Sequence, residues 1–306
     1  MKILVATEKP FATDAIQKIK QVIDNAGFEF ILLEKYTNKS QLLDAVEEVD
    51  AIIIRSDIID AEVLDAAKQL KIVVRAGAGY DNVDLNAATA HEVVVMNTPG
   101  QNANAVAELA LGLMVYAARN QFDGSSGTEL TGKKLGIHAY GNVGRNVARI
   151  AKGFGMDIYA YDAFVPAEEI EKDGIKALAS VEELYAVCQY VSLHIPATPE
   201  TKKSINYALL EKMPKKAVLI NTARKEVINE SELMQMMEAR PHFKYLTDIT
   251  PSNDAELKAK FPKQYFTTPN KMGAQTAEAN NNAGIAAANQ IVDFLKTGNT
   301  KFQVNK

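Results

Sequence analysis

Short apolar runs alternate with amphipathic stretches throughout the first hundred residues. The runs have the length and composition of buried strands, at residues 3–6, 30–33, 51–54, 72–74 and 93–96. Between them, apolar positions recur with helical spacing at about 13–25, 41–48 and 61–69. This alternation predicts an α/β domain built on a parallel sheet.

The same alternation resumes after a break at Pro99 and Gly100. A helix rich in small residues is predicted at about 104–119, and a polar connector at 121–132 leads to a strand at 135–139 and a helix at 143–154. Further strands are predicted near 189–194, 217–221, 245–248 and 265–267, with a last helix at about 274–295. We expect a second domain inserted into the first, with the active site in the cleft between them.

A glycine turn links the strand and the helix at the start of this second domain. Gly141 and Gly144 allow the backbone to turn tightly and to approach a pyrophosphate, although Ala139 replaces the first glycine of the usual GxGxxG pattern. Asp162 follows about twenty residues later, where a carboxylate accepts hydrogen bonds from ribose hydroxyls and repels a 2′-phosphate. The pattern predicts NAD rather than NADP. The alternative is a glycine turn in a βαβ unit of another kind.

Composition narrows the classes of partner. With 306 residues, 47% hydrophobic, and a net charge of −4 without a basic stripe, the chain has the balance of a globular protein and no sign of binding nucleic acid or anionic membranes. No apolar run approaches the ~18 residues of a membrane span. The chain has a single cysteine, Cys188, which predicts a cytoplasmic protein without a disulfide. Its four histidines are scattered, which predicts that it has no metal site. We expect its partners to be small molecules and a second copy of itself.

Arg224 is the first candidate for binding substrate. It comes just after the predicted strand at 217–221, and ligands of open α/β sheets bind beyond the carboxyl ends of strands. A guanidinium grips a carboxylate with two parallel hydrogen bonds and can polarise a neighbouring carbonyl. The alternative is a surface arginine paired with Glu226.

At this point the chain resembles the D-2-hydroxyacid dehydrogenase family, over essentially its whole length. The resemblance rests on blocks in family order and spacing: RAGAGYDNVD (75–84), NTPGQNANAVAE (97–108), the glycine turn, VSLHIPATPETK (191–202), NTARKEVINE (221–230) and Asp248. It implies two doubly wound parallel-sheet domains. A Rossmann NAD domain at 99–269 would be inserted into a flavodoxin-like substrate domain formed by 1–98 and 270–306.

The resemblance also implies the roles of individual residues. Those expected around NAD are Tyr140, Gly141, Asn142, Val143, Gly144, Tyr161, Asp162, His194, Ile195, Pro196, Thr201, Asn221, Thr222, Ala223 and Asp248. Those expected around the substrate are Arg55, Ser56, Arg75, Ala76, Gly77, Ala78, Gly79 and Asn102, with Arg224 and Lys271 as the catalytic pair.

Two departures from the family fall on the groups that transfer the proton. Lys271 stands where the family usually has a histidine, and Asn253 stands where it has the glutamate that orients that histidine. A lysine can also donate and accept the proton, and we expect burial and the charge of Arg224 to disfavour its ammonium form. The alternative is a relative that has lost catalysis and senses NAD, although such a protein has no need of Arg224.

The substrate is expected to carry a second anionic group. Arg55 and Arg75 both end predicted strands, and although either alone is more often part of a structural ion pair, the two together indicate a phosphate. With Lys271 and no C-terminal extension, the pattern is similar to short D-3-phosphoglycerate dehydrogenases without a regulatory domain. The resemblance therefore implies NAD-dependent oxidation of 3-phosphoglycerate, the entry to serine synthesis, with glyoxylate or hydroxypyruvate reduction as the alternative.

Overall fold

The chain divides into two compact units in a computed structural model that describes all residues from 1 to 306. The first unit comprises Met1–Asn102 and Thr276–Lys306, and the second comprises Ala103–Gln275. None of the helices combines the length and the apolar character needed to cross a bilayer.

The first unit is a five-stranded parallel sheet between helices. Its elements are β1 (Lys2–Thr7), α1 (Thr13–Asn25), β2 (Glu29–Glu34), α2 (Lys39–Val46), β3 (Ala51–Ile54), α3 (Ala61–Ala66), β4 (Ile72–Arg75), α4 (Leu85–Ala90), β5 (Val94–Asn97) and α12 (Ala277–Thr297). The strand order is β2-β1-β3-β4-β5, which is the flavodoxin-like doubly wound order. All four residues of β3 are buried, because helices cover both faces of the sheet.

Two helices of this unit differ from the sequence prediction. Helix α4 was not predicted, because its six residues, LNAATA, carry no long apolar stripe. Its one signal in the sequence is the N-cap residue Asp84, whose carboxylate accepts a hydrogen bond from Ala87 N. Helix α3 ends at Ala66 rather than near residue 69. There the backbone leaves the helical conformation at Ala67 and turns towards β4.

The open edge of β5 is covered by the end of the chain. The Asn305 side chain accepts a hydrogen bond from Val95 N (2.8 Å) and donates one to Val93 O (2.8 Å), while Val304 N donates to Val95 O (2.9 Å). Asn305 is 7% exposed, so these backbone groups of the edge strand are satisfied away from water.

Replacing Asn305 with alanine should destabilise the protein by about 1–3 kcal/mol, because the substitution leaves a buried N–H and a buried carbonyl without partners. Denaturant unfolding measures the difference. The neighbouring exposed residue provides the control, and Lys306→Ala should leave the free energy of unfolding within ~0.5 kcal/mol of the wild type. Equal effects of the two substitutions would contradict this account of the edge.

The second unit contains a seven-stranded parallel sheet. Its elements are α5 (Ala103–Ala118), a 3₁₀ turn (Asn120–Phe122), β6 (Lys134–His138), α6 (Asn142–Gly153), β7 (Asp157–Tyr161), α7 (Ala167–Glu171), β8 (Lys176–Ala177), α8 (Val181–Val187), β9 (Tyr190–Leu193), α9 (Tyr207–Leu210), β10 (Val218–Asn221), a second 3₁₀ turn (Lys225–Val227), α10 (Glu230–Ala239), β11 (Lys244–Thr247), α11 (Asp254–Lys260) and β12 (Tyr265–Thr267). The strand order is β12-β11-β10-β9-β6-β7-β8, a Rossmann order extended by one strand. The predicted fold class of two parallel α/β domains is confirmed.

The small residues of α5 and the single cysteine both serve the core of this unit. Nine side chains of α5 are buried, among them Ala107, Leu111 and Met114. Cys188 is buried against Gly136, where an added Cβ would lie 3.1 Å from the cysteine sulfur, and burial raises the pKa of its thiol to about 12. Cys188 therefore has a packing role in the core of this unit.

Candidate active site

The glycine turn joins β6 to α6 at the reversal of strand order in the second unit, between β6 and β9. Ala139 occupies the position of the missing first glycine and adopts a φ of +80°, a conformation that glycine adopts more easily. An added Cβ on Gly141 would meet nothing within 4 Å, whereas one on Gly144 would lie 2.4 Å from Ala139 O. Gly141 therefore gives a ligand access to the backbone, and Gly144 allows the close packing of α6 on β6.

Asp162 holds this turn in place from the end of β7. Its carboxylate accepts hydrogen bonds from Tyr140 N (2.6 Å), Phe164 N (2.7 Å) and Val165 N (2.9 Å). An ionised carboxylate has about four acceptor positions, so the group keeps capacity for a ribose hydroxyl. The Tyr140 hydroxyl is used within the unit, where it donates to Asp173 (3.0 Å).

Two histidines lie at the ends of β6 and β9: His138 is buried and His194 is partly buried. The backbone N–H of His194 donates to His138 O (2.9 Å), and the His138 ring lies edge-on to Tyr185, with 3.3 Å between its Nδ1 and the tyrosine hydroxyl. Burial lowers the pKa of His138 to about 4, and burial with the nearby His138 lowers that of His194 to about 3. Both rings are therefore neutral at pH 7. His138 was not predicted, although a polar residue closing an apolar strand was a signal for it.

The loop after His194 is closed by a threonine. The Thr201 hydroxyl donates to Pro196 O (2.6 Å) and accepts from Thr198 N (2.7 Å). Ile195 is buried and Pro196 is exposed, so these two expected NAD contacts are one core residue and one surface residue.

The turn after β10 presents Arg224. The Asn221 side chain accepts from Ala223 N (3.0 Å) and donates to Arg224 O (3.0 Å), which fixes the path of the turn. The Arg224 guanidinium is partly buried and donates to Ala223 O (2.9 Å). It forms no salt bridge, so the alternative of a surface pair with Glu226 is not found.

Asp248 follows β11 directly and is 1% exposed. Its Oδ2 accepts from Gly273 N (2.8 Å), and an added Cβ on Gly273 would lie 2.8 Å from that oxygen. Burial raises the pKa of the Asp248 carboxyl, against the hydrogen bond from Gly273 and the positive charge of Lys271. The aspartate therefore holds the turn that carries Lys271.

The expected burial of Lys271 is wrong. Its side chain is exposed, and its positive charge acts on the Asp248 carboxyl, whose pKa it lowers. Asn253 lies at the N-cap of α11, where its amide nitrogen is 3.0 Å from the Met234 sulfur. Asp248 was expected among the NAD contacts, but its hydrogen bond to Gly273 N in the turn that carries Lys271 was not expected.

The two arginines of the first unit differ in how they are used. Arg55 Nη1 donates to Lys9 O and Pro10 O (both 2.9 Å), and its Nη2 donates to Asn280 Oδ1 (2.7 Å). Arg75 Nε donates to Arg55 O (2.9 Å). Arg55 thus ties the chain after β1 to α12, while its backbone carbonyl orients the Arg75 side chain.

The AGAG loop after β4 follows closely on Arg75. Gly77 has a φ of +152°, and an added Cβ would lie 1.5 Å from Arg75 Nη1, so only glycine leaves room for this guanidinium. Thr98 N donates to Gly77 O (2.9 Å), and the Asn97 side chain donates to Ala78 O (2.6 Å). The remaining predicted substrate residues lie beside this loop or after β3 and β5: Ser56, Ala76, Gly79 and Asn102.

A dinucleotide fits the strand ends of the second unit. Three buried side-chain atoms there have no hydrogen-bond partner in the protein: His194 Nε2, Thr222 Oγ1 and Asp248 Oδ1. All three belong to residues predicted to contact NAD. Buried polar groups are normally satisfied, so these atoms are ready to meet the polar groups of a ligand. Other predicted contacts lie at the start of α6 and at the end of β7, namely Asn142, Val143 and Tyr161.

Comparison with known proteins agrees with this arrangement. Residues 106–271, more than half of the chain, match the family model "D-isomer specific 2-hydroxyacid dehydrogenase, NAD binding domain". The chain belongs to this family. Its cofactor is accordingly NAD, held by the second unit.

Named relatives of the dehydrogenase include enzymes with two activities. It is 46% identical to the NAD⁺-bound 3-phosphoglycerate dehydrogenase of Entamoeba histolytica, with a TM-score of 0.89 over 100% of this chain and 99% of that one. It is 32% identical to the hydroxypyruvate reductase of Thermotoga maritima, over 87% of this chain and 92% of that protein. The D-3-phosphoglycerate dehydrogenase of Methanocaldococcus jannaschii is 32% identical over 97% of this chain, but the chain spans only 58% of that relative's length.

The two glycines of α6 give a matched test of the turn in the dehydrogenase. Gly144→Ala should destabilise the protein by about 1–3 kcal/mol and weaken NADH binding, because the new methyl group meets backbone at 2.4 Å. Gly153→Ala, where nothing lies within 4 Å, should be neutral or stabilising by up to ~1 kcal/mol. Thermal unfolding measures the change in stability, and fluorescence titration measures the change in NADH affinity. Unchanged NADH affinity in Gly144→Ala would contradict the role of Gly144 in shaping the turn.

The histidines at the ends of β6 and β9 predict acid sensitivity. Their pKa values are lowered from 6.5 in the unfolded chain to about 4 and about 3 in the fold, so between those limits the unfolded chain binds more protons. Their stabilising contribution is complete above pH 6.5 and declines as the pH falls towards 4, by up to ~1.4 kcal/mol per pH unit for each histidine. His138→Gln should flatten the dependence of unfolding free energy on pH between 6.5 and 4. Parallel profiles for variant and wild type in that window would contradict this.

Proposed function

We propose that this chain catalyses the NAD-dependent oxidation of D-3-phosphoglycerate to 3-phosphohydroxypyruvate, and the reverse reaction. The observation that carries the proposal is the 46% identity, over the whole chain, to a 3-phosphoglycerate dehydrogenase. Several further relatives with that name are 32–38% identical. The activity would supply the first step of serine synthesis.

In this proposal Arg224 binds the substrate carboxylate. Its guanidinium has no carboxylate partner within the protein, it is partly buried, and the Asn221 side chain fixes the turn that presents it. A carboxylate bound by two parallel hydrogen bonds is oriented as well as held. In this proposal the same guanidinium would also polarise the C2 oxygen.

Lys271 transfers the proton. During oxidation its neutral amine takes the proton from the C2 hydroxyl, and during reduction its ammonium returns a proton to the C2 oxygen. When bound, NAD would supply the acceptor for the hydride that leaves C2, at C4 of its nicotinamide. Asp248 holds the Lys271 turn through Gly273 N, and an amine needs no second group to fix a ring tautomer, which agrees with the absence of the family glutamate.

Arg75, which ends β4, is proposed to bind the substrate phosphate. The Arg55 guanidinium already donates three hydrogen bonds to its own unit, so we assign it a positioning role through the carbonyl that binds Arg75 Nε. The proposed substrate contacts are completed by Ser56, the loop from Ala76 to Gly79, and Asn102.

NAD is preferred over NADP in this proposal because of Asp162. Its carboxylate is fixed by three backbone N–H groups at the end of β7. A fixed negative charge beside the ribose would repel a 2′-phosphate.

Reduction of hydroxypyruvate is the second candidate, favoured by the relative from Thermotoga maritima, which the chain covers over 92% of its length. A protein that only senses NAD is the third, and the unpaired Arg224 argues against it. We also infer a cytoplasmic homodimer, which mass measurement by light scattering would test.

The deciding experiment is NADH oxidation by the purified protein with phosphohydroxypyruvate, hydroxypyruvate and glyoxylate at equal concentrations. We expect kcat/KM to be highest for phosphohydroxypyruvate, because only that acid carries the phosphate that Arg75 is proposed to bind. A preference for an unphosphorylated acid would assign the chain to the reductases, and tight NADH binding without turnover would indicate the sensor.

Lys271→Met should lower kcat by about 10²- to 10⁴-fold, since that is the usual contribution of general acid–base catalysis. NADH affinity should change little, because the substitution removes no proposed cofactor contact. Stopped-flow kinetics and fluorescence titration separate these effects. The exposed Lys301→Met serves as the control for loss of a charge, and wild-type kcat in Lys271→Met would remove Lys271 from the mechanism.

A further inference from the structure

A cavity of about 490 Å³ opens at the amino-terminal ends of the strands of the second unit. Because β9 to β12 are parallel, residues that precede or begin these strands collect at one edge of the sheet, opposite the edge with the glycine turn and Arg224. Lys216 precedes β10, Lys244 begins β11 and Lys263 precedes β12. All three lysines line the cavity. The catalytic residues proposed above take no part in it.

The cavity carries positive charge without matching carboxylates. None of the three lysines forms a salt bridge within the chain, although eight other lysines do. Asp123 is the single carboxylate in the lining. Hydrogen bonds from Ser125 lower the pKa of Asp123, and so do the charges of Lys263 and Lys244, which places both ammonium groups near it. The three lysines and Asp123 together give the lining a formal charge of +2.

Lys244 is part of the fold rather than a loose surface cation. Its Nζ donates to Ala117 O (2.7 Å) and to Asn120 Oδ1 (3.1 Å), which fixes its position at the cavity wall. An ammonium has three N–H donors, so one remains for a ligand. Partial burial lowers the pKa of Lys244, against the opposing effect of the Asp123 carboxylate.

The rim of the cavity has a costly backbone conformation. Asn120, Gln121 and Phe122 have φ values of 51°, 59° and 59°, and three consecutive residues other than glycine in the left-handed region are rare. The Gln121 side chain secures this turn through Tyr265 O (3.2 Å), and the Asn120 amide reaches Ser125 Oγ (2.9 Å). Strain of this kind persists where the surrounding structure enforces it, often at ligand sites.

We propose that this cavity binds a small anion that carries a phosphate group. The ammonium groups supply positive charge, and the hydroxyls of Ser126 and Thr128 supply further donors for phosphate oxygens. Ala117, Ala118 and Val218 provide an apolar floor that suits the carbon part of a phosphate monoester. The site is independent of the proposed reaction.

The test is isothermal titration of the purified protein with pyrophosphate at pH 7, with saturating NADH and with ionic strength held constant by sodium chloride. NADH blocks the glycine turn, which also attracts pyrophosphate. The double variant Lys216→Met/Lys263→Met should weaken pyrophosphate binding at least tenfold. The control Lys215→Met/Lys301→Met removes the same charge from exposed positions outside the cavity and should change Kd less than twofold.

Further arms separate the possible sources of a signal. Adding Lys244→Met to the double variant should weaken pyrophosphate binding further, and circular dichroism verifies that the protein is folded. Sulfate should bind less tightly than pyrophosphate, because it carries less charge and fewer oxygens. NADH turnover should be unchanged in the double variant. The proposal is overturned if NADH abolishes pyrophosphate binding, if the protein shows no binding at all, or if the double and control variants behave alike.

Discussion

The hydrogen bonds accepted by the Asp162 carboxylate are the constraint on which the nucleotide-binding unit depends. One oxygen binds the glycine turn after β6 at Tyr140 N, and the other binds two N–H groups of the loop after β7. The carboxylate therefore joins the two strand ends that flank a dinucleotide. In the same turn Ala139 adopts an unfavourable φ, and Gly144 permits the close contact of α6 with β6. The hydrogen bonds to Asp162 and the packing of α6 therefore both fix the turn.

Parallel strands explain why the functional groups separate into sets. Residues after β10 and β11, such as Arg224 and Asp248, share the edge that carries the glycine turn. Residues before β10 and β12, such as Lys216 and Lys263, share the opposite edge. One sheet thus offers two chemically different edges, and the direction of the chain decides which side chains each receives.

The sequence was most informative where burial is complete. Strand β3 and helix α1 were predicted to the residue, because an all-apolar run and a regular apolar stripe leave few alternatives. The position of Asp162 after the glycine turn was also readable, since the nucleotide unit has a fixed length. Contacts between distant residues were not readable: Asn280, which binds Arg55, lies 225 positions away along the chain. The exposure of Lys271 likewise depends on packing that no local pattern encodes.

The edge of β5 shows how the fold treats a strand that has no neighbour. An unpaired strand edge displays a row of N–H and carbonyl groups that another polypeptide can pair with, and such pairing begins aggregation. Asn305 engages those groups with a side-chain amide, which has the same donor and acceptor as a peptide bond but cannot extend the sheet further. Residues 304 and 305 therefore end the sheet at β5 and keep this edge from pairing with strands of other molecules.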